Sequence, residues 1–332
     1  SKIIKIENKK IGINEPPFII AEIGINHGGD YSICKEMIVK AIESGADAIK
    51  LQTVIVDESY EKNTPSYNEF KNKNFHLNQL KKLHKLCKNK NTILFSSPGG
   101  NESLNDIIKL NLPIIKISSG QMTNLELINN CLKYNKPLII STGMSYEYEI
   151  EKILSIFSVN QLKRTVLLKC TSIYPSPDLT INLNGLATLR DKFNLCHIGY
   201  SDHSLDELAP ILAVSMGASV IEKHFTINRD FKGGDNFISM EPKEFGEMVK
   251  KIKRIKTMFG YKAIKPNKDE ILKRNTARRV AFAKLELKKG SIIKKKMLIF
   301  KRPSDKSKRG ISAINYGEIV GKKTRKHILK DQ

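Results

Sequence analysis

Six apolar runs in this 332-residue chain end in polar side chains that a buried strand does not ordinarily carry. Five end in pairs spaced two apart: Lys50/Gln52, Lys116/Ser118, Lys169/Thr171, Ser201/His203 and Glu222/His224. The sixth presents Glu22 just ahead of a Gly24-Ile25-Asn26-His27 turn. Residues two apart in a strand share a face, so each pair points one way. One such Lys or Ser is readily solvated by a loop. Six together would crowd charges into a buried space, where a charge without a partner is strongly destabilising, and an anionic ligand with a metal ion would compensate them. His203 and His224 end consecutive strands, and neighbouring strands lie about 4.8 Å apart. Two imidazoles so placed can share one divalent ion and leave positions for water and a substrate oxygen, although hydrogen-bonded structural histidines would have the same spacing. Glu222 could orient a water or move a proton. Lys50 and Lys116, with Ser97, Ser119, Ser141 and Ser201, supply the charge and donors that suit a phosphate and a carboxylate. Ser119 falls on the opposite face from Lys116, so it belongs to a loop or the strand boundary shifts by one.

The elements that must hold these residues recur regularly. Short β-rich runs at 18–24, 48–53, 92–97, 114–119, 137–142, 165–171, 197–203 and 219–225 alternate with helical periodicity, as at 31–44, 77–88, 125–134 and 205–217. Nearly all-apolar strands alternating with helices predict a parallel sheet covered by helices. Eight such units in the first ~240 residues fit a (β/α)8 TIM barrel, whose active sites lie at the carboxyl ends of the strands. No G-x-G-x-x-G follows the first run, so the open nucleotide-binding sheet lacks its fingerprint. The alternation over 3–13 reads as a hairpin closing the barrel floor. Beyond Gly260 the pattern changes, giving a barrel domain over 1–260, a polar linker over 261–277 and a compact β-rich domain over 278–332.

The net charge is +23, and residues 261–332 carry 23 Lys and Arg against 6 Asp and Glu. Such asymmetry can mark a nucleic-acid module, but the tail has no zinc-finger, RNP or helix-turn-helix signature, and a solvated lysine-rich surface is the simpler reading. Five scattered cysteines without a C-x-x-C pair argue against a disulfide framework or zinc knuckle. No apolar run is long enough to span a bilayer and the first residues lack a signal-peptide pattern, so the expected location is cytoplasmic, without a membrane partner.

At these positions the sequence resembles the sialic acid synthase (nonulosonate synthase) family. The resemblance rests on Ala21-Glu-Ile-Gly-Ile-Asn-His-Gly-Gly29, Ile49-Lys-Leu-Gln-Thr53, Leu94-Phe-Ser-Ser-Pro98, Ile115-Lys-Ile-Ser-Ser-Gly120 and Ile140-Ser-Thr-Gly-Met144. It continues through Lys169-Cys-Thr-Ser-Ile-Tyr-Pro175, Gly199-Tyr-Ser-Asp-His203 and Ile221-Glu-Lys-His-Phe-Thr226. In the tail, Lys288-Lys289-Gly290, Lys301-Arg-Pro303 and Gly310-Ile-Ser312 resemble the family's small antifreeze-like (SAF) domain.

The resemblance implies a TIM barrel that condenses phosphoenolpyruvate with an amino-sugar aldehyde, with N-acetylmannosamine as the default acceptor. It implies that Lys50, Ser97, Lys116, Ser119, Ser141, Ser172 and Ser201 hold phosphoenolpyruvate. Mn2+ or Mg2+ would sit on His203 and His224, and Glu22, Gln52, Tyr174, Asp235 and Arg302 would contact the sugar. It also implies a domain-swapped homodimer, in which Arg302 works in trans. Four departures bear on the acceptor: Gln121 replaces a carboxylate facing the sugar, Gly99 a phenylalanine and Ser172 an asparagine, while 64–75 is short. The stretch 304–309 is longer and more basic than the usual turn. A related phosphoenolpyruvate-dependent aldol synthase with another aldose is the alternative within enzymes, and a basic polyanion-binding protein on an inactive barrel is the alternative outside them.

Overall fold

The computed structural model describes residues 3–303 and 310–332, so the basic stretch 304–309 lies outside the described residues. Contacts divide the chain after Gly260 into two units. The first opens with an antiparallel hairpin, β1 (Ile4–Ile6) and β2 (Lys9–Ile11). Eight parallel strands follow: β3 (Phe18–Gly24), β4 (Ala48–Thr53), β5 (Ile93–Pro98), β6 (Ile115–Ile117), β7 (Leu138–Ser141), β8 (Thr165–Cys170), β9 (His197–Asp202) and β10 (Val220–His224). They close into a barrel in which β10 pairs back onto β3, with Glu222 beside Ile20 and His224 beside Glu22. The expected TIM barrel is therefore observed.

Helices cover the outside: α1 (Tyr31–Glu43), two short helices α2 (Val56–Ser59) and α3 (Pro65–Phe70), α4 (Leu77–Asn89), α5 (Asn101–Lys109), α6 (Leu125–Leu132), α7 (Glu147–Leu154), α8 (Val159–Leu162), α9 (Asp178–Ile181), α10 (Gly185–Lys192), α11 (Leu208–Ser215) and α12 (Pro242–Phe259). Helix α1 shows why they form. The Asp30 carboxylate accepts from the Ser32 and Ile33 amides, satisfying orphan donors at the helix start. Cys34, Met37, Ile38 and Ala41 then recur at helical spacing and are buried. Gly45, at φ +97, supplies the left-handed turn that ends the helix.

Two apolar clusters result. One is the layer between strands and helices, which includes Ile19, Ile49, Leu94 and Ile117. The other fills the barrel interior: Phe18, Ile20, Ala48, Ile93, Phe95, Ile114, Ile139, Val166, Leu168 and Val220. Ile4, Ile6 and Ile11 of the hairpin join this second cluster, so the hairpin does close the floor. Alternation then fixes which residues come next inside the barrel: Glu22, Lys50, Ser97, Lys116, Ser141, Cys170, Ser201 and Glu222.

In the second unit α13 (Lys268–Ala277) occupies most of the stretch read as a linker. It starts at a capping box in which the Asn267 side chain accepts from the Glu270 amide. Strands β11 (Val280–Ala283) and β12 (Leu298–Lys301) pair antiparallel, and Phe300 packs edge-on to Tyr316. Arg302 follows β12 and is exposed.

Candidate active site

Four charged side chains meet inside the barrel above the apolar plug. Lys50 Nζ lies 2.9 Å from Glu222 Oε1 and 3.3 Å from Glu22 Oε2. Lys116 Nζ is 3.6 Å from Glu222 Oε1 and donates to Ser141 Oγ at 2.8 Å. Ser201 Oγ donates to Glu222 Oε1 at 3.1 Å, and Gln52 Nε2 donates to Glu22 Oε1 at 3.1 Å. All four charges are at most 4% exposed, a placement that is costly unless each is paired. Register explains the meeting: Glu22 is opposite Lys50 across β3 and β4, and Ser201 opposite Glu222 across β9 and β10.

Burial and mutual charge push these groups apart. Burial raises the Glu22 carboxyl to about 7, with Lys50 opposing and Glu222 reinforcing the shift. Burial also acts on Glu222, but Lys116 and Lys50 overcome it and hold that carboxylate down at about 2. Desolvation brings the Lys116 ammonium down to about 8 against the pull of Glu222. For Lys50 the attraction of Glu22 and Glu222 outweighs desolvation, so its pKa is raised. Two carboxylates with separated pKa values divide the roles: Glu222 is a permanent anion, while Glu22 exchanges a proton near neutrality.

The histidine pair lies on the same side. The His203 and His224 ring centroids are 5.3 Å apart. Burial lowers both imidazoles' pKa values, most strongly for His224, which keeps them neutral. His203 Nδ1 is 2.6 Å from the Thr171 carbonyl. A carbonyl only accepts, so Nδ1 carries the proton and the Nε2 lone pair stays free. His224 Nδ1 is buried without a hydrogen-bond partner, 3.7 Å from Asp235 Oδ2. Neutral imidazoles with free lone pairs next to a carboxylate fit a divalent cation. Among the described residues no cluster of three or more His, Cys, Asp or Glu is arranged as a ligand set. Tyr174 covers the pair, its ring 4.1 Å from His203 and edge-on to His224 at 5.9 Å.

The serines divide by position. Ser97 Oγ is buried and makes no hydrogen bond. Ser119 lies in a 3-10 turn after β6 ends at Ile117, so it does belong to a loop. Its Oγ accepts from the Gly143 amide at 3.1 Å, and it sits 3.2 Å from Cys170 Sγ. A Cβ on Gly143 would lie 2.4 Å from Ser172 Oγ and 2.7 Å from Ser119 Oγ, so only glycine lets this turn enclose both hydroxyls. Gln52, Ser97, Ser118, Gln121, Tyr174 and Asp235 all line one cavity of about 410 Å3.

One expectation needs revision. Lys169 does not join the site: Val166, Leu168 and Cys170 are the inward residues of β8, and Lys169 Nζ points outward to the Ile181 carbonyl at 2.8 Å, the last turn of α9. The helix end is satisfied by a cation, as its dipole favours. Cys170 takes the inward place instead. The sequence reading also missed Ser59, Tyr60, Glu69 and Phe70 of the α2–α3 segment, which line the cavity. Helices of four to six residues leave too few turns for an apolar period to show. Arg302 belongs to the second unit.

A model of the NeuB family matches residues 37–264, and one of the SAF domain matches 278–332. The chain belongs to the NeuB family. This NeuB-family chain is 36% identical over 330 residues to an N,N'-diacetyllegionaminic acid synthase of Campylobacter jejuni, covering 95% of this chain and 97% of that one. A pseudaminic acid synthase of the same organism is 32% identical, over 94% of this chain and 93% of its own. Among solved structures, an N-acetylneuraminic acid synthetase of Leptospira borgpetersenii, in complex with citrate, superposes with a TM-score of 0.78 at 36% identity. That match covers 83% of this chain and 98% of the other. The barrel and SAF domain are thus those of the nonulosonic acid synthases, and the NeuB relatives differ in the sugar acid for which they are named.

Proposed function

We propose that this chain condenses phosphoenolpyruvate with an N-acylated amino-sugar aldehyde and water, giving a nonulosonic acid and phosphate. The observation that carries the reading is the buried Glu22–Lys50–Glu222–Lys116 network beside two neutral imidazoles, in a chain related throughout to such synthases. Lys50 and Lys116 present fixed positive charge to the phosphate and carboxylate of phosphoenolpyruvate. Ser119 and Ser141 each already accept a hydrogen bond, from Gly143 N and Lys116 Nζ, so their own protons are free to donate to an anion. Ser97 Oγ and Ser172 complete the donor set, while Ser201, assigned to the same substrate, gives its proton to Glu222 in this structure.

C3 of phosphoenolpyruvate bonds to the aldehyde carbon as the C2–C3 π bond opens, leaving an alkoxide and positive charge at C2. Water adds at C2 and passes a proton to Glu22, which delivers it to the alkoxide. The C2–O bond to phosphate then breaks, the remaining C2 hydroxyl proton leaving with the phosphate, to give a 2-keto acid. Glu22 suits this transfer better than Glu222, because Lys116 and Lys50 lower the proton affinity of Glu222 while burial raises that of Glu22. His203 and His224, with Asp235 beside them, would hold Mn2+ or Mg2+, which when bound supplies Lewis-acid polarisation of the aldehyde oxygen. Gln52, Tyr174, Asp235 and Arg302 are assigned to the sugar, Arg302 acting in a homodimer. Exposed apolar side chains Leu179, Leu205, Leu208 and Leu212 support that dimer. No helix among the described residues is long and apolar enough to cross a membrane, and buried cysteines such as Cys34, Cys87 and Cys131, held as thiols, suit the reducing cytoplasm.

Calorimetric titration of phosphoenolpyruvate tests the assignment of the charged network. Lys50→Met should weaken binding by at least roughly tenfold, the loss expected on removing a charge-assisted contact. Unchanged affinity would remove Lys50 from the substrate site.

A further inference from the structure

Two fully buried ions stand apart from the charged tier, on the outward face of the same barrel. Asp202 on β9 and Lys223 on β10 are each 0% exposed, and Lys223 Nζ donates to Asp202 Oδ2. By strand alternation they lie back to back with the inward pairs Ser201/His203 and Glu222/His224. Burying such ions opposes folding unless each finds its partners. Here both do. Asp202 Oδ1 accepts from Tyr200 OH at 2.9 Å and from the Ser204 amide at 3.2 Å, and Oδ2 accepts from Ser204 Oγ at 2.7 Å. Lys223 Nζ also donates to the Ser204 carbonyl and, at 3.1 Å, to the Asp206 carbonyl.

The place of this pair in the sheet is informative. Asp202 and Lys223 are the last matched residues of the β9–β10 ladder, and His203 and His224 each follow one residue later. The two imidazoles are held unequally. His203 Nδ1 bonds the Thr171 carbonyl, whereas His224 Nδ1 has no hydrogen-bond partner. The position of His224 is therefore left to its backbone, which is paired with Glu22 on the β3 side and accepts from the Met240 amide at 2.9 Å. Toward His203, the last tie is the Asp202–Lys223 pair. Lys223 directly precedes His224, and its ammonium grips the chain just beyond His203, at the Ser204 and Asp206 carbonyls. One side chain thus spans both histidine-bearing strand ends.

We propose that Asp202 and Lys223 are positioning residues that set the separation of His203 and His224 for a divalent cation. This inference rests on the synthase reading, which assigns the metal to those histidines, and says what holds them in place. The separation at stake is the 5.3 Å between their ring centroids. Metal–ligand distances tolerate only about 0.2 Å of error, so a slight slip of one strand end past the other is felt at the metal. Lys50 and Lys116 stand on β4 and β6, away from the β9–β10 seam, and their phosphoenolpyruvate contacts should not register that slip.

Calorimetric titration of Mn2+ into the metal-free chain tests this, with phosphoenolpyruvate titrated separately and melting followed by circular dichroism. Asp202→Leu combined with Lys223→Met removes both ions together, an exchange for apolar side chains that buried pairs often tolerate without loss of stability. Mn2+ affinity should fall by roughly 10- to 100-fold, the loss that follows removal of a group orienting a metal ligand, while phosphoenolpyruvate affinity stays near that of the wild type. Asp202→Asn keeps the shape and the Tyr200 contact but not the charge, and should lose a smaller factor of roughly three to ten. It decides the question if the double variant does not fold. Unchanged Mn2+ affinity in the double variant, or in Asp202→Asn where only that one folds, would overturn the positioning role and leave the synthase reading standing. So would parallel losses for Mn2+ and phosphoenolpyruvate, which would mark a purely structural pair. A wild-type chain that binds phosphoenolpyruvate but no Mn2+ would overturn the metal assignment itself, and the positioning role with it.

Discussion

The two ends of the barrel interior are built on the same eight strands and obey opposite rules. Toward the amino ends, Phe18, Ile20, Ile93, Phe95, Ile139 and Leu168 pack with the hairpin residues Ile4, Ile6 and Ile11 into a dry plug. One alternation further on, Glu22, Lys50, Lys116 and Glu222 replace them, equally buried but charged. The plug stabilises through apolar area removed from water. The charged tier brings no such gain, and burying its ions opposes folding unless the network is complete. Its arrangement makes sense as preorganisation for an anionic substrate, set on a rigid apolar base.

That contrast can be broken by substitution. Glu22→Gln is nearly isosteric and removes a carboxyl that burial raises to about 7, so that only part of it is ionised at neutral pH. It should lower turnover by about 10²–10⁴-fold, the range for loss of a general acid or base, with little change in melting temperature. A large fall in stability with retained activity would assign Glu22 to the scaffold. Phe95→Ala, one tier below, should do the reverse and cost about 3–5 kcal/mol of unfolding free energy. Denaturant unfolding of the two variants side by side separates the regions, and matching destabilisation would erase the distinction.

A smaller effect sharpens the electrostatic side. Desolvation sets the Lys116 ammonium at about 8 in the free chain. Below that pH it is charged and receives an anion without proton uptake. Above it each pH unit adds about 1.4 kcal/mol for protonation on binding, so phosphoenolpyruvate affinity should fall tenfold per unit. A flat profile from pH 8 to 9.5 by calorimetry would show that Lys116 does not meet the ligand. Smaller again, Arg302→Ala should raise KM for the sugar by about tenfold, the size of one charge-assisted hydrogen bond, with phosphoenolpyruvate changed less than about twofold. Equal changes for both substrates would give the SAF domain a purely structural role.

The contrast also explains what could be read in advance. The runs at 18–24 and 48–53 coincide with β3 and β4, because glycine and polar turns bound them sharply. The charged tier was legible since Glu22, Lys50, Lys116 and Glu222 violate the apolar rule of a barrel strand at one consistent parity. Parity fails where both faces are apolar. In Thr165–Cys170 the run Val-Leu-Leu gives no sign of which side is inside, and Lys169 was placed inward when it caps α9. The α2–α3 wall was illegible for another reason: its place over the cavity depends on long-range contacts, such as Glu58 accepting from the Glu102 and Ser103 amides at the start of α5. No local pattern encodes those.

The most direct measurement is phosphate released from phosphoenolpyruvate by the purified chain, with the co-product weighed by mass spectrometry, in a complete mixture and in mixtures lacking the sugar or the divalent metal. The expected result is one phosphate per molecule of nine-carbon keto acid in the complete mixture, and none when either component is withheld. Release that proceeds without the sugar, or no release while phosphoenolpyruvate binds, would contradict the assignment of the charged tier to this condensation.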